Sequence, residues 1–473
     1  MIRFYQLNLI GFAIVNGILL FKQYTQSPRY NNENQNDDDH GGRDACESQS
    51  IFHEHDEVCP HKEAVRKFIW DYFPVYALAV AADWIQGPHI YAIYRYDKEI
   101  SEKVVAALYA TGFVSGALAA SFAGRLADKY GRLKACVAYC LMYIITCLSM
   151  LSDDIVILFV GRFAGGIATT LLFSVFDAWM ISEYHSRGLS LSSLTLGNIF
   201  SYAATMSSMI AIFMGILGDV LVEHLGGRVW PFMGGVVACV AAAFWIGFRW
   251  TENYGSFESS WNPGNLAKSS LSSLLRDRRI VALAITTTFF ESAMYLFVFF
   301  WSAALHSARS ALSFPDSQAE PLPFGIVFAC FMCAMMIGSS IFNLLKPKLE
   351  GSVSILMTSL FLASLGLSTA SLSLIEVIMF YSFIIVELAI GAYFPSINLL
   401  KSEVIQDTVR GSIYSLMRLP LNIFVVVAHS LDEEGDGHRN RVFLLLAALL
   451  LVSCMVVRRC FYQRREQMGS MTC

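Results

Sequence analysis

The sequence predicts an all-α membrane protein: two bundles of six helices joined by a polar linker, with one further transmembrane helix at the N-terminus. Three observations carry that expectation. The 473 residues are 55% hydrophobic and 15% charged, with mean hydropathy +0.51, where a soluble domain would carry about 25% charged residues. Apolar stretches near the roughly 20 residues that cross a bilayer recur to the end of the chain. A short basic turn, Gly124 to Lys134 (GRLADKYGRLK), joins two of them as a cytoplasmic helix connection would.

The apolar stretches fall at 5–21, 70–92, 103–123, 134–151, 155–180, 194–218, 230–249, 279–304, 323–345, 352–371, 374–399, 412–430 and 442–458. The first stands apart behind a polar segment. The other twelve divide into a bundle over 69–250, a cytoplasmic linker at 251–277 and a second bundle over 278–459, with a tail at 460–473. The linker carries Gly, Ser, Asn and Pro263 and few large apolar residues, as a domain boundary should. With the Gly124–Lys134 turn placed in the cytoplasm, the inside loops hold 18 Lys and Arg and the outside loops 7.

Residues 1–22 read as a retained anchor helix. A signal peptide is the alternative, but Leu20, Phe21, Lys22 and Gln23 offer no small-residue cleavage site. The segment 23–68 reads as an acidic polar linker. Within it Asp37 to His40, His53 to Glu57 and Cys59 to His61 hold metal-binding residue types without a zinc spacing, so a solvated linker is preferred to a metal tether. The eleven cysteines lie mostly within apolar stretches, where they read as small buried residues. A net charge of −4 and a pI near 6.2 leave no basic surplus for nucleic acid. No nucleophile–base pair, phosphate loop or cofactor motif points to an enzyme.

A charge inside the bilayer costs about 2.5–3.5 kcal/mol on insertion scales and therefore needs a reason. Outside the loops and the N-terminal segment, two basic residues remain: Arg162 in the fourth helix of the twelve and Arg418 in the eleventh. Their acidic counterparts are Asp83 in the first, Asp177 in the fourth, Glu291 in the seventh and Glu387 in the tenth. They divide between the two halves, and a central cavity lined by both halves is where such groups can stay wet. Bracing within its own half is the alternative for each residue.

The Gly124–Lys134 pattern, G-x-L-x-D-K/R-x-G-K/R-x-K/R, resembles the loop 2–3 signature of the major facilitator superfamily. Around Arg162, Gly161 and Gly166 resemble its fourth-helix pattern, although Gly165 stands where that pattern carries Gln. The antiporter signature of the fifth helix is missing at Gly215–Asp219, and the second half keeps only a worn counterpart of the loop motif at Lys346–Lys348. More specific strings lie at 81–88 (AADWIQGP), 173–179 (FSVFDAW), 290–292 (FES), 297–301 (FVFFW), 387–396 (ELAIGAYFPS) and 418–421 (RLPL). Over roughly residues 70–460 they resemble the eukaryotic molybdate-anion transporter family.

That resemblance implies a secondary carrier in the cell membrane that takes up a tetrahedral dianion by alternating access about a midplane site. Lipid and a small inorganic anion are its implied partners. The planar fork of Arg matches two oxyanion oxygens at once, so Arg162 and Arg418 are expected to bind substrate, with Asp83 and Gln86 beside them. Glu291, Glu387 and Asp177 are expected to couple transport to protons. Gly124, Asp128, Gly131 and Arg132 take the superfamily's cytoplasmic gating role. Two other classes stay open: a proton-coupled carrier of a neutral or cationic organic solute, and a non-transporting receptor or scaffold on the same fold.

Overall fold

The structure is a computed structural model. Its described residues are 2–25, 51–120, 122–189, 194, 196–255, 277–312, 322–345, 349–405, 410–431, 433 and 435–469. Most of the acidic 23–68 segment and of the 251–277 linker lies outside them. The major elements are α1 (Ile2–Thr25), α2 (Ile51–Gln86), α3 (Glu102–Ala120), α4 (Ala123–Tyr130), α5 (Arg132–Ser149), α6 (Ile155–Leu172), α7 (Val175–Ser186) and α8 (Leu196–Leu225). They continue with α9 (Trp230–Arg249), α10 (Arg278–Leu312), α11 (Phe324–Leu345), α12 (Leu349–Leu372), α13 (Glu376–Val404), α14 (Arg410–Ser430) and α15 (Asp436–Gly469). No strand occurs among the described residues. Eleven helical stretches among them are long and apolar enough to cross a bilayer, and Pro420–Ser430 is a shorter apolar one.

Local chemistry sets the helix ends. Asp154 caps α6, its carboxylate accepting from the Val156 amide at 2.8 Å. Pro231 occupies the first turn of α9, where a missing N–H costs nothing. The stretch expected as one helix over 155–180 breaks at Phe173 and Ser174, so Asp177 sits on α7 rather than on the helix of Arg162. Ser174 turns its hydroxyl back onto the Thr170 carbonyl at 2.6 Å there. The first helix of the twelve likewise stops at Gln86. Gly87–His89 follow as a 3-10 turn containing Pro88, and Ile93–Asp97 wind as a π-helix.

The chain groups into two compact units. One comprises Phe21–Gly87 and Val114–Phe257. In it α2 packs along α8 and α9, and α5 along α6 and α9. Interhelical hydrogen bonds to backbone carbonyls tie these helices: Tyr139 donates to Ala79 at 2.8 Å, Thr146 to Gly161 at 3.1 Å and Thr170 to Gly116 at 2.9 Å. Such bonds contribute on average about 0.6 kcal/mol each in a membrane protein. Large apolar side chains on α9, Val237, Phe244 and Phe248 among them, point outward and are exposed, a face that lipid covers.

The other unit comprises Met1–Leu20, Pro88–Phe113 and Glu258–Cys473. Here α13 lies against α11 and α12, and α15 against α10 and α12. A Cβ at Gly391 would meet the Met335 carbonyl oxygen at 1.9 Å, and one at Gly338 the Leu388 oxygen at 2.1 Å, so two glycines set the α11–α13 approach. Residues 88–113 join this unit because their aromatic rings pack on its helices. Tyr96 stacks on His306 at 4.4 Å, and Tyr91 and Tyr109 meet Phe299 edge-on at 5.4 and 4.9 Å. The N-terminal helix α1 docks here too. Tyr5, fully buried, donates to Glu376, whose carboxylate is ion-paired with Arg309 at 2.7 Å. Asn16 donates to the Cys333 carbonyl at 3.0 Å.

Candidate functional site

Three of the expected substrate residues come together in the first unit. Gly161 lets α6 approach α5 closely: a Cβ there would overlap the Ser149 hydroxyl at 1.9 Å. The next residue, Arg162, is half-buried and lies in electrostatic reach of Asp83 on α2. Tyr143 of α5 donates to the Asp83 carboxylate at 3.1 Å and accepts from the Gln86 side-chain amide at 2.8 Å. Gln86 is 8% exposed, and its carbonyl oxygen has no hydrogen-bond partner among the described residues. The result is a polar group inside an apolar bundle: one guanidinium, one carboxylate, and an amide with half of its capacity unused.

Asp177, on α7, is contacted by the Tyr72 hydroxyl at 3.5 Å. In the second unit the Tyr393 hydroxyl reaches Glu291 at 3.5 Å, while the Tyr393 ring stacks on Phe290 at 3.7 Å. Glu387, one helical turn and a half before Tyr393 on α13, is 4% exposed and has no ion-pair partner among the described residues. Arg418 lies on α14, and its side chain is outside the described residues.

The four residues expected to gate lie on α4 and at the start of α5. Gly124 is exposed. Arg132 pairs with Asp128 at 2.7 Å and donates to the Ala178 carbonyl at 3.1 Å. Gly131 has φ +116°, a conformation that favours glycine, and it also clears a path. Through that path Glu252 reaches the start of α5 and accepts from the Leu133 amide at 2.8 Å; a Cβ at Gly131 would sit 2.4 Å from the Glu252 carboxyl group.

The first residues after α9 are bound along the same face. The Arg132 amide donates to Asn253, and the Gly255 amide to Asp128, at 3.0 and 3.2 Å. Trp179 donates to the Thr251 carbonyl at 3.0 Å and stacks on Trp250 at 3.6 Å. Beside them Asp71, 1% exposed, accepts from Arg187 at 2.9 Å and Arg249 at 3.0 Å.

Sequence reasoning missed Tyr143, Glu252 and the Arg309–Glu376 pair. Arg309 lies beyond the apolar stretch expected over 279–304, but α10 extends to Leu312 and buries it. Tyr143 had one legible signal, a hydroxyl one helical turn after Tyr139 in an apolar helix. For Glu252, which follows its helix in a polar stretch, the sequence carried none.

The chain resembles known carriers over most of its length. A family model described as sugar transporters, 12 TM, matches residues 45–385. The molybdate-anion transporter of Xenopus laevis is 33% identical over 406 residues, covering 83% of this chain and 86% of that protein. That of Takifugu rubripes is 30% identical over 436 residues, covering 82% and 87%. A crystal structure of a mutant of the nucleoside transporter NupG superposes with a TM-score of 0.64 at 14% identity, covering 83% of this chain and all of that one, a likeness of fold. With its many apolar helices, this chain is a multi-pass membrane transporter and not an enzyme, and it belongs to the major facilitator superfamily, in the family of the molybdate-anion transporters.

Proposed function

We propose that this transporter carries molybdate, or a tetrahedral oxyanion like it, into the cell across the cell membrane by alternating access, coupled to protons. The observation that carries the reading is Arg162, a guanidinium held half-buried in an apolar bundle in electrostatic reach of Asp83. An oxyanion must exchange its hydration shell for donors, and the Arg fork offers two parallel N–H groups to it. The relatives named molybdate-anion transporter support the same substrate class. Arg418 is the second cation of the site in this reading. Glu291, Glu387 and Asp177 take up and release the coupled protons, since carboxylates at membrane depth are costly as charges and mark ion pathways. Gly124, Asp128, Gly131 and Arg132 form the cytoplasmic gate.

Uptake of radiolabelled molybdate into cells expressing the chain tests the reading, beside Arg162→Ala and Arg418→Ala at matched surface level. Saturable uptake that rises as external pH falls and is lost in either variant is expected. Uptake no greater than in control cells would overturn it. A second reading, a proton-coupled carrier of a neutral organic solute, is favoured by the sugar-transporter description of the matching family and by the two acceptors at Asp83 and Gln86. Unlabelled hexoses or nucleosides that compete with the label where sulfate and tungstate do not would favour it.

A further inference from the structure

We propose that Asp83, Tyr143 and Gln86 form a proton-operated switch, which offers the Gln86 side-chain N–H groups to an oxyanion only while Asp83 carries a proton. The inference rests on the oxyanion reading above and supplies the step that ties proton to anion. It starts from the direction of two hydrogen bonds. An ionised Asp83 can only accept, so the single Tyr143 proton points to it at 3.1 Å. The Tyr143 oxygen is then left to accept, and Gln86 turns its nitrogen toward it at 2.8 Å. The amide oxygen of Gln86 must therefore point the other way, and there it has no partner, inside a residue more than nine-tenths buried. An unmet acceptor in that setting is expensive, and an anion approaching it meets a second negative end beside Asp83.

One proton on Asp83 reverses the whole line. Asp83 becomes a donor to the Tyr143 oxygen, and the Tyr143 O–H swings to Gln86. The Gln86 amide rotates by half a turn to offer its oxygen to Tyr143. No hydrogen bond within the line is lost, and one proton has been added. The nitrogen of Gln86 now occupies the direction its oxygen held, and Arg162 no longer faces a charged carboxylate. The ionised state is thus short of a donor to the Gln86 oxygen, and the proton-loaded state is short of acceptors for both Gln86 N–H groups, which an oxyanion supplies.

The other titratable groups in electrostatic reach of Asp83 are Tyr139 and Cys147 on α5, Arg162 on α6 and Cys239 on α9. From α8, Ser207 faces the neighbouring Trp84 at 3.1 Å. Of these, Arg162 is the one that carries charge at neutral pH, and it gains in reach to an anion when Asp83 is neutralised.

The full chain tests the switch with molybdate as the probe. In the wild type, KM for molybdate should be about tenfold lower at an acidic than at an alkaline pH, the change expected for one hydrogen bond to a charged group. Tyr143→Phe removes only the hydroxyl, and Gln86→Leu removes both polar atoms at similar volume. Each should reduce the change in KM to under about twofold, the remainder coming from Asp83 acting on Arg162 and from Glu291, Glu387 and Asp177. Purified wild-type protein in weakly buffered solution should take up protons as molybdate binds, because the coupling is reciprocal. Wild-type pH dependence retained by both variants, or binding without proton uptake, overturns the switch and leaves the oxyanion reading standing. A wild-type chain that transports no molybdate at either pH overturns both.

Discussion

Asp128 and Arg132 lie four residues apart across the helix break at Gly131, and the bond between them is charge-assisted on both sides at 2.7 Å. The Asp128 carbonyl and the space around its carboxylate also hold Gly255, where a Cβ would come within 2.3 Å of that carboxylate. Asp128→Asn keeps the shape and removes the charge that Arg132 answers. Transport should fall by about tenfold, the worth of one charge-assisted bond, while surface expression persists. An assay of uptake against surface biotinylation checks this, and unchanged uptake would count against the gating role. The motif that holds Gly124, Asp128, Gly131 and Arg132 was legible in the sequence because it is short and local. Glu252 was not, since it reaches Leu133 from 119 residues away and only the fold brings them together.

At the scale of the helix, α1 is the element whose role the sequence left most open. An apolar run near the N-terminus serves equally as leader, anchor or packed helix. The structure gives it specific partners: the buried Arg309–Glu376 pair capped by Tyr5, the Asn16 bond to Cys333, and an edge-on contact of Tyr5 with Phe380 at 5.0 Å. Arg309 and Glu376 join α10 to α13, the helices that carry Glu291 and Glu387. The Tyr5 hydroxyl gives the charged Glu376 a further hydrogen bond, and such a bond contributes about 1.5–3 kcal/mol. A protease site placed within residues 30–45 of the full chain should therefore allow cutting without release. The α1 fragment should co-purify with the remainder in mild detergent, and should be lost in the Tyr5→Ala, Asn16→Leu double variant. A wild-type fragment that separates after cutting, or a mature chain that begins beyond residue 22, would show that α1 is not held by these contacts.

For the whole molecule, the count and order of apolar stretches predicted the helical class, because hydropathy is summed over many residues and tolerates local error. Breaks inside those stretches were harder to see. The interruption at Phe173–Ser174 and the π-helical turn at Ile93–Asp97 are departures of a few residues, which a 20-residue window averages away. Pairing between distant helices was less legible still: Tyr143 sits 60 residues from Asp83, and nothing in either local sequence announces the other. Where the chain leaves α9, one contact has an optical consequence. The indoles of Trp179 and Trp250 lie 3.6 Å apart and only 8° from parallel, one on α7 and the other at the start of the linker. Rings this close share their electronic excitations, so the pair should give a split band in far-ultraviolet circular dichroism, where the strongest indole transition lies. Trp250→Phe should abolish the splitting. In the unaltered protein its amplitude becomes a label-free gauge of whether the linker's first residues are seated or detached, readable during turnover without adding any chromophore.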